Sequence, residues 1–196
     1  MTRRGDAALA SAAAISFLAA LLLAWAAPGF DEAVLRALAP APDWAVPPLL
    51  ALTRLGNFVV LGPLALVVAV LLLVQGRSHD AMWLGAGVLL LRALVETLKL
   101  LIARARPAVE NQLDLVHSMS FPSGHAANTL GTAVLIALLA PPAWRRRAMA
   151  IAVVVAVAVG ITRPVLLVHW PTDVVGGWAL AGGFALLWRR LRPSRP

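Results

Sequence analysis

Long apolar blocks separated by short polar stretches dominate the chain. Six of them can be measured against the roughly 20 residues that a membrane-spanning helix needs. They run from Ala7 to Ala27, Pro48 to Val74, Ala81 to Ile102, Ser123 to Ala140, Ala148 to Arg163 and Thr172 to Trp188. The pattern predicts an all-α protein, a bundle of six transmembrane helices forming one domain over residues 1–196. Two blocks leave alternatives. Arg3-Arg4 precede the first, and Ala24-Trp25-Ala26 near its end resembles a signal-peptide cleavage site. Its apolar run exceeds a usual signal h-region, so an uncleaved helix is expected. The fifth meets Arg163-Pro164, where the helix either kinks and continues or ends just below the membrane surface.

Composition agrees with a membrane setting. Hydrophobic residues make up 61% of the chain and charged residues 13%, with a mean hydropathy of +0.84. Soluble domains carry about a quarter charged residues. Cysteine is absent, which excludes disulfides, thiolate-bound zinc and thiol catalysis.

The net charge of +8 would suit a nucleic-acid binder, but its arginines sit between the apolar blocks. That placement fits membrane orientation and argues against nucleic acid. Six alternating spans put Arg3-Arg4, Arg77, Arg145-Arg146-Arg147 and Arg189-Arg190-Arg192-Arg195 on one side, expected to be cytoplasmic. Asp31, Glu32, Arg36 and Asp43 fall on the other side. Pro28, Pro40 and Pro42 make the Asp31–Asp43 connection read as an interfacial segment.

The chemistry-bearing residues gather on that second side. Lys99, Arg104 and Arg106-Pro107 end the third block with cations that can converge on a polyanion. A single cation there would be a snorkelling anchor, and Arg104 is left open between anchor and ligand. Ser123, in Pro122-Ser123-Gly124-His125, is a candidate N-cap, and a helix N-terminus with Gly124 offers an anion site. Arg163, His169 and Asp173 follow, and one helical turn would set the carboxylate of Asp173 beside the His169 imidazole. Such a set can bind phosphate, attack it with one histidine and protonate the leaving group with the other. Metal ligation by the same histidines and aspartate is disfavoured by the surrounding cations.

Other polar residues read as structural. Arg92 and Glu96 share a helix face and should pair, although Glu96 could instead reach Lys99. His79 and His117 read as solvated loop residues, and Trp170 and Trp178 as interfacial packing.

Taken together, the motifs resemble the type 2 phosphatidic acid phosphatase family, whose fold core is shared with vanadium haloperoxidases and glucose-6-phosphatases. That signature is Lys, six residues, Arg-Pro; then Pro-Ser-Gly-His; then Ser-Arg, five residues, His, three residues, Asp. Here Lys99, Arg106-Pro107, Pro122-Ser123-Gly124-His125, Arg163, His169 and Asp173 keep every spacing, and Thr162 stands where serine is usual. The resemblance spans about residues 81–188 and implies an active site at the outer ends of helices 3–6. It implies that His169 is the nucleophile, Asp173 its orienting group and His125 the acid for the leaving oxygen. Lys99, Arg106, Ser123, Gly124 and Arg163 would hold the phosphoryl oxygens. No metal or other cofactor is implied.

The expected function is metal-independent hydrolysis of a membrane lipid phosphate or diphosphate. The setting would be a bacterial-type inner membrane, multi-pass, with the site facing the periplasm or exterior. Undecaprenyl diphosphate is favoured over phosphatidylglycerophosphate and phosphatidate. A lipid phosphotransferase using the same site and a non-enzymatic anion transporter are the alternatives, although polar residues clustered at one end argue against transport. Oligomeric state is not legible.

Overall fold

The computed structural model describes residues 3–38, 41–107, 112–114 and 116–192, without the side chains of Arg3, Arg4 and Asp6. Pro40 and Arg195, invoked above, lie outside the described residues. Every regular element among the described residues is helical: α1 (Arg3–Ala26), α2 (Pro28–Leu38), α3 (Val46–Arg54), α4 (Phe58–Val74), α5 (Ser78–Ile102), α6 (Gly124–Leu139), α7 (Pro142–Val165) and α8 (Pro171–Trp188). Short 3-10 turns at Asp43–Ala45 and Arg189–Leu191 complete them. His79 lies in the first turn of α5 rather than in a loop, although it is exposed as expected.

Packing turns the usual burial pattern around. Leu22, Val59, Val74, Leu100 and Val154 are each at least two-thirds exposed, so the outer surface is an apolar belt suited to lipid. By length and composition, three stretches can cross a membrane: Ala7–Ala26, Asp43–Val74 and Pro142–Val165. α6 is a shorter apolar helix, and α5 carries Arg92, Glu96 and Lys99 within its length. Inside, α8 packs between α1 and α6, with α7 on α6 and α4 on α5. The approach of α8 to α6 depends on Gly177, where an added Cβ would stand 2.7 Å from the Ser123 carbonyl oxygen.

Three differences from the block pattern matter for the site. The block from Pro48 is not one helix but α3 and α4, broken at Leu55-Gly56-Asn57. Asn57 caps α4 by accepting the Val59 N–H at 3.0 Å, and Gly56 packs so tightly that a Cβ would meet Val159, Thr129 and the His125 ring. A run of three residues is too brief to register in a hydropathy block. The Asp31–Asp43 connection is largely helix α2, whose Asp31 and Leu35 share a buried face. α7 starts at Pro142, so Arg145–Arg147 are helical, and it ends one residue beyond Pro164 with Arg163 fully buried.

Candidate active site

One end of the bundle collects the C-termini of α1, α5 and α7 and the N-termini of α6 and α8. The turn from Leu166 to Trp170 leads into α8, with Leu167 at a positive φ of 59°. Asp173 Oδ2 accepts the Trp170 N–H at 2.9 Å, so the carboxylate caps α8 while turning toward the preceding residue, His169. His169 lies in that turn, just ahead of the helix. Its Nδ1 is 3.3 Å from Asp173 Oδ2, which also accepts the Ser120 hydroxyl at 2.5 Å.

The other ring nitrogen, Nε2, is 3.0 Å from Arg106 Nη1. A guanidinium only donates, so Nε2 accepts and the proton is assigned to Nδ1, facing Asp173. Burial, reinforced by Arg106, Lys99 and Arg163, holds the His169 pKa well below 6.5. The imidazole is therefore neutral at neutral pH, with its Nε2 lone pair turned to the cations.

The loop before α6 organises two of those cations. Lys99 Nζ donates to the Met119 carbonyl at 2.6 Å and to Ser118 Oγ at 3.2 Å. Arg106 Nε donates to the Ser118 carbonyl at 2.6 Å, and its Nη1 also reaches the Val168 carbonyl. Burial and the nearby charge of Arg163 lower the Arg106 pKa to about 10, which leaves it protonated at pH 7.

Arg163 is held differently. Nη1 donates to Thr53 Oγ1 at 2.6 Å and to Asp114 Oδ2 at 3.0 Å, whereas Nε and Nη2 are buried without a protein partner. Ser123 Oγ is buried and unpartnered too; Ser123 stands at the N-cap of α6, yet its side chain does not cap the helix. Gly124 lies beside Lys99, its hypothetical Cβ 3.6 Å from Lys99 Cε. His125, on the first turn of α6, lines a cavity of about 460 Å³ with Thr53, Arg54, Asn57, Gln112 and Asp114.

The motif residues thus form two linked groups. His169, Asp173, Arg106 and Lys99 meet around Ser118–Ser120, while Arg163 donates to Thr53 and Asp114, which line the cavity together with His125. Backbone bonds tie the groups together: Ser123 N–H to Asp173 O at 2.9 Å, and Val168 N–H to Arg163 O at 3.1 Å. Among the described residues no group of three or more His, Asp or Glu could hold a metal ion.

Several neighbours were not legible. Ser120, Thr53 and Asp114 contact motif side chains, and Asp31 reaches Asp173 through Arg104 and Thr172. Arg104 is neither lipid anchor nor free cation, because it donates to Asp173, Thr172 and Asp31 and lies 5.5 Å from the Trp170 ring centroid. Trp170 and Trp178 donate to the carbonyls of Ala105 and Ala156. Arg92 and Glu96 pair at 3.2 Å, and Lys99 turns to Ser118 and Met119 instead.

Known proteins are similar to this chain in sequence and in fold. Over 178 residues, 83% of each chain, the protein is 35% identical to phosphatidylglycerophosphatase B of Bacillus subtilis. Over 107 residues it is 32% identical to decaprenylphosphoryl-5-phosphoribose phosphatase of Mycobacterium tuberculosis, a match covering 53% of this chain and 56% of that relative. The crystal structure of a transmembrane PAP2-type phosphatidylglycerolphosphate phosphatase from Bacillus subtilis superposes with a TM-score of 0.86 at 28% identity, covering 93% of this chain and 95% of that one. The PAP2 superfamily model matches residues 80–196, a stretch that holds Lys99, Pro122 to His125 and Arg163 to Asp173 together. With more than half of its length matched, the chain belongs to the PAP2 superfamily.

Proposed function

We propose that the protein hydrolyses a membrane lipid phosphate or diphosphate without a metal, through a phosphohistidine on His169. One observation carries this reading. The neutral Nε2 of a buried histidine faces Arg106, while the buried Nε and Nη2 of Arg163 and the hydroxyl of Ser123 lack protein partners. Buried polar groups are costly unless paired, and a phosphoryl group supplies the acceptors that Arg163 requires.

The steps balance simply. His169 Nε2 attacks phosphorus and the bond to the leaving oxygen breaks, with His125 giving that oxygen a proton. Positive charge on the imidazole is offset by Asp173 at Nδ1. His125 then takes a proton from water as the water oxygen attacks phosphorus, the P–N bond breaks and inorganic phosphate leaves. Lys99, Arg106, Arg163, Ser123 and the Gly124 N–H stabilise the equatorial oxygens.

Names of relatives support an amphiphilic substrate, one a phosphatidylglycerophosphatase and another a phosphatase of a decaprenyl-linked phosphate. Coverage of 83% for the former favours phosphatidylglycerophosphate over undecaprenyl diphosphate as the substrate. Phosphate release from purified protein in detergent, with EDTA present, tests both points on a panel including phosphatidate. Release from at least one lipid is expected. No release, or release only after a divalent ion is restored, overturns the reading. Transfer of phosphate to another lipid without inorganic phosphate would support the phosphotransferase instead.

Six alternating spans in one membrane-embedded unit over residues 1–196 would put the site at the outer face of the inner membrane. Arg77, Arg145–Arg147 and Arg189–Arg192 would then be cytoplasmic. Cysteine introduced at His117, exposed on the loop before α6, should react with an impermeant thiol reagent in intact cells. Cysteine at Ser78 should not. The opposite pattern reverses the orientation, and labelling of both breaks the alternation.

A further inference from the structure

Asp31 is a buried acid that none of the three motifs contains. It lies in the first turn of α2, outside the matched residues 80–196, and is 1% exposed. Its carboxylate receives three donors. Thr172 N–H reaches Oδ1 at 2.9 Å, and Oδ2 takes the Thr172 hydroxyl at 2.5 Å and Arg104 Nη2 at 2.7 Å.

The same guanidinium serves the catalytic carboxylate. Arg104 Nη1 donates to Asp173 Oδ1 at 2.5 Å and to Thr172 Oγ1 at 2.8 Å, while Nη2 also touches the Ala24 carbonyl at 3.3 Å. Thr172 Oγ1 therefore gives its proton to Asp31 and accepts one from Arg104, which closes a ring of charge-assisted bonds. Both oxygens of Asp173 are now fixed: Oδ1 by Arg104, Oδ2 by Ser120 and Trp170 on the side that faces His169.

Charge decides what Asp31 adds. An Arg104 paired with Asp173 alone would offset the carboxylate that must balance a cationic imidazole, and in a dry site that loss is felt strongly. One guanidinium shared between two carboxylates leaves the trio with a net negative charge beside His169. A lone staple between α2 and α8 would need no such sharing.

We propose that Asp31, acting through Arg104 and Thr172, is a positioning residue for Asp173, fixing its carboxylate and keeping its charge available to the imidazole of His169. The proposal rests on His169 being the nucleophile. Asp31→Asn keeps the size of the side chain and removes its charge. In the variant purified in detergent, kcat on the preferred lipid phosphate should fall at least tenfold, with KM within twofold because Asp31 bonds to Arg104 and Thr172 and to none of the proposed phosphate-binding residues. Asp31→Glu, which retains the charge, should recover part of that loss.

A purely structural staple predicts a lower melting temperature with kcat of the folded protein intact, and that result overturns the proposal. Should Asp31→Asn not be recovered folded, Thr172→Val decides. It removes the shared hydroxyl and keeps both charges, and kcat should drop threefold or more at constant KM; an unchanged kcat overturns the proposal. Wild-type protein that hydrolyses no lipid phosphate overturns the function itself. An active wild type with an equally active Asp31→Asn overturns only the role of Asp31.

Discussion

Each end of the helix bundle buries an aspartate against arginines, and the two arrangements differ in what the arginines have left to give. At the end away from the site, Asp80 accepts from Arg77 Nη2 at 2.7 Å and Nε at 2.9 Å, and from Arg192 Nε at 2.9 Å. Arg77 Nη2 and Arg192 Nη1 also donate to the Leu139 and Leu138 carbonyls, at 3.1 and 2.9 Å, and Arg192 lies 6.0 Å from the Trp83 ring centroid. This pairs two of the last carbonyls of α6 and ties α5 to the turn that follows α8. At the site end, Asp173 is equally well supplied with donors, from Arg104, Ser120 and Trp170, but a second arginine there, Arg163, held by Thr53 and Asp114, keeps two buried nitrogens unpartnered. Where protein groups satisfy the charge, it holds the fold; where donors remain, it can hold a ligand.

The comparison is sharpest at Asp173. Asp173→Asn keeps its size but replaces an acceptor facing Nδ1 with an amide, so kcat should fall by about 10²–10⁴. Steady-state phosphate release measures it, and a change below threefold would reduce Asp173 to a helix cap. Arg163→Lys comes next, since an ammonium cannot reproduce a guanidinium that grips Thr53 and Asp114 with one nitrogen and keeps two buried nitrogens without a protein partner. Loss of one such donor should lower kcat by roughly 10²–10³. Near-normal turnover would mean that the unpartnered nitrogens serve no ligand.

Asp80→Asn should do the reverse. Breaking its pairing with Arg77 and Arg192 removes up to about 3 kcal/mol of stability, visible as a lower melting temperature in detergent. Turnover of the folded fraction should stay within twofold. A kcat loss without loss of stability would erase the distinction between the ends.

The sequence anticipates one part of this better than another. Cations and histidines in a hydrophobic chain have few reasons to be there, so Lys99, Arg106, His125, Arg163, His169 and Asp173 were all conspicuous, and all lie at one end. Residues that complete the network were not. Ser120 is an ordinary loop serine until the fold brings it to Asp173, 53 positions on, and Thr53 meets Arg163 across 110 positions. Asp31 had a local signal, a carboxylate one turn from Leu35 on the apolar face of a short helix, which the prolines around it obscured. The all-helical class followed from the apolar blocks, whereas the break at Gly56-Asn57 depends on the close approach of α6 and α7 and is not written in hydropathy.

If the proposed function holds, His169 carries the phosphoryl group during turnover. Purified protein mixed with lipid phosphate labelled in the scissile phosphoryl group and quenched within milliseconds, with EDTA present, should retain label on one residue. That label should survive base, be lost in acid, map to His169 and be missing from a folded His169→Ala variant that releases no phosphate. Phosphate release at the wild-type rate by His169→Ala, or label on a different residue, would rule out His169 as the nucleophile.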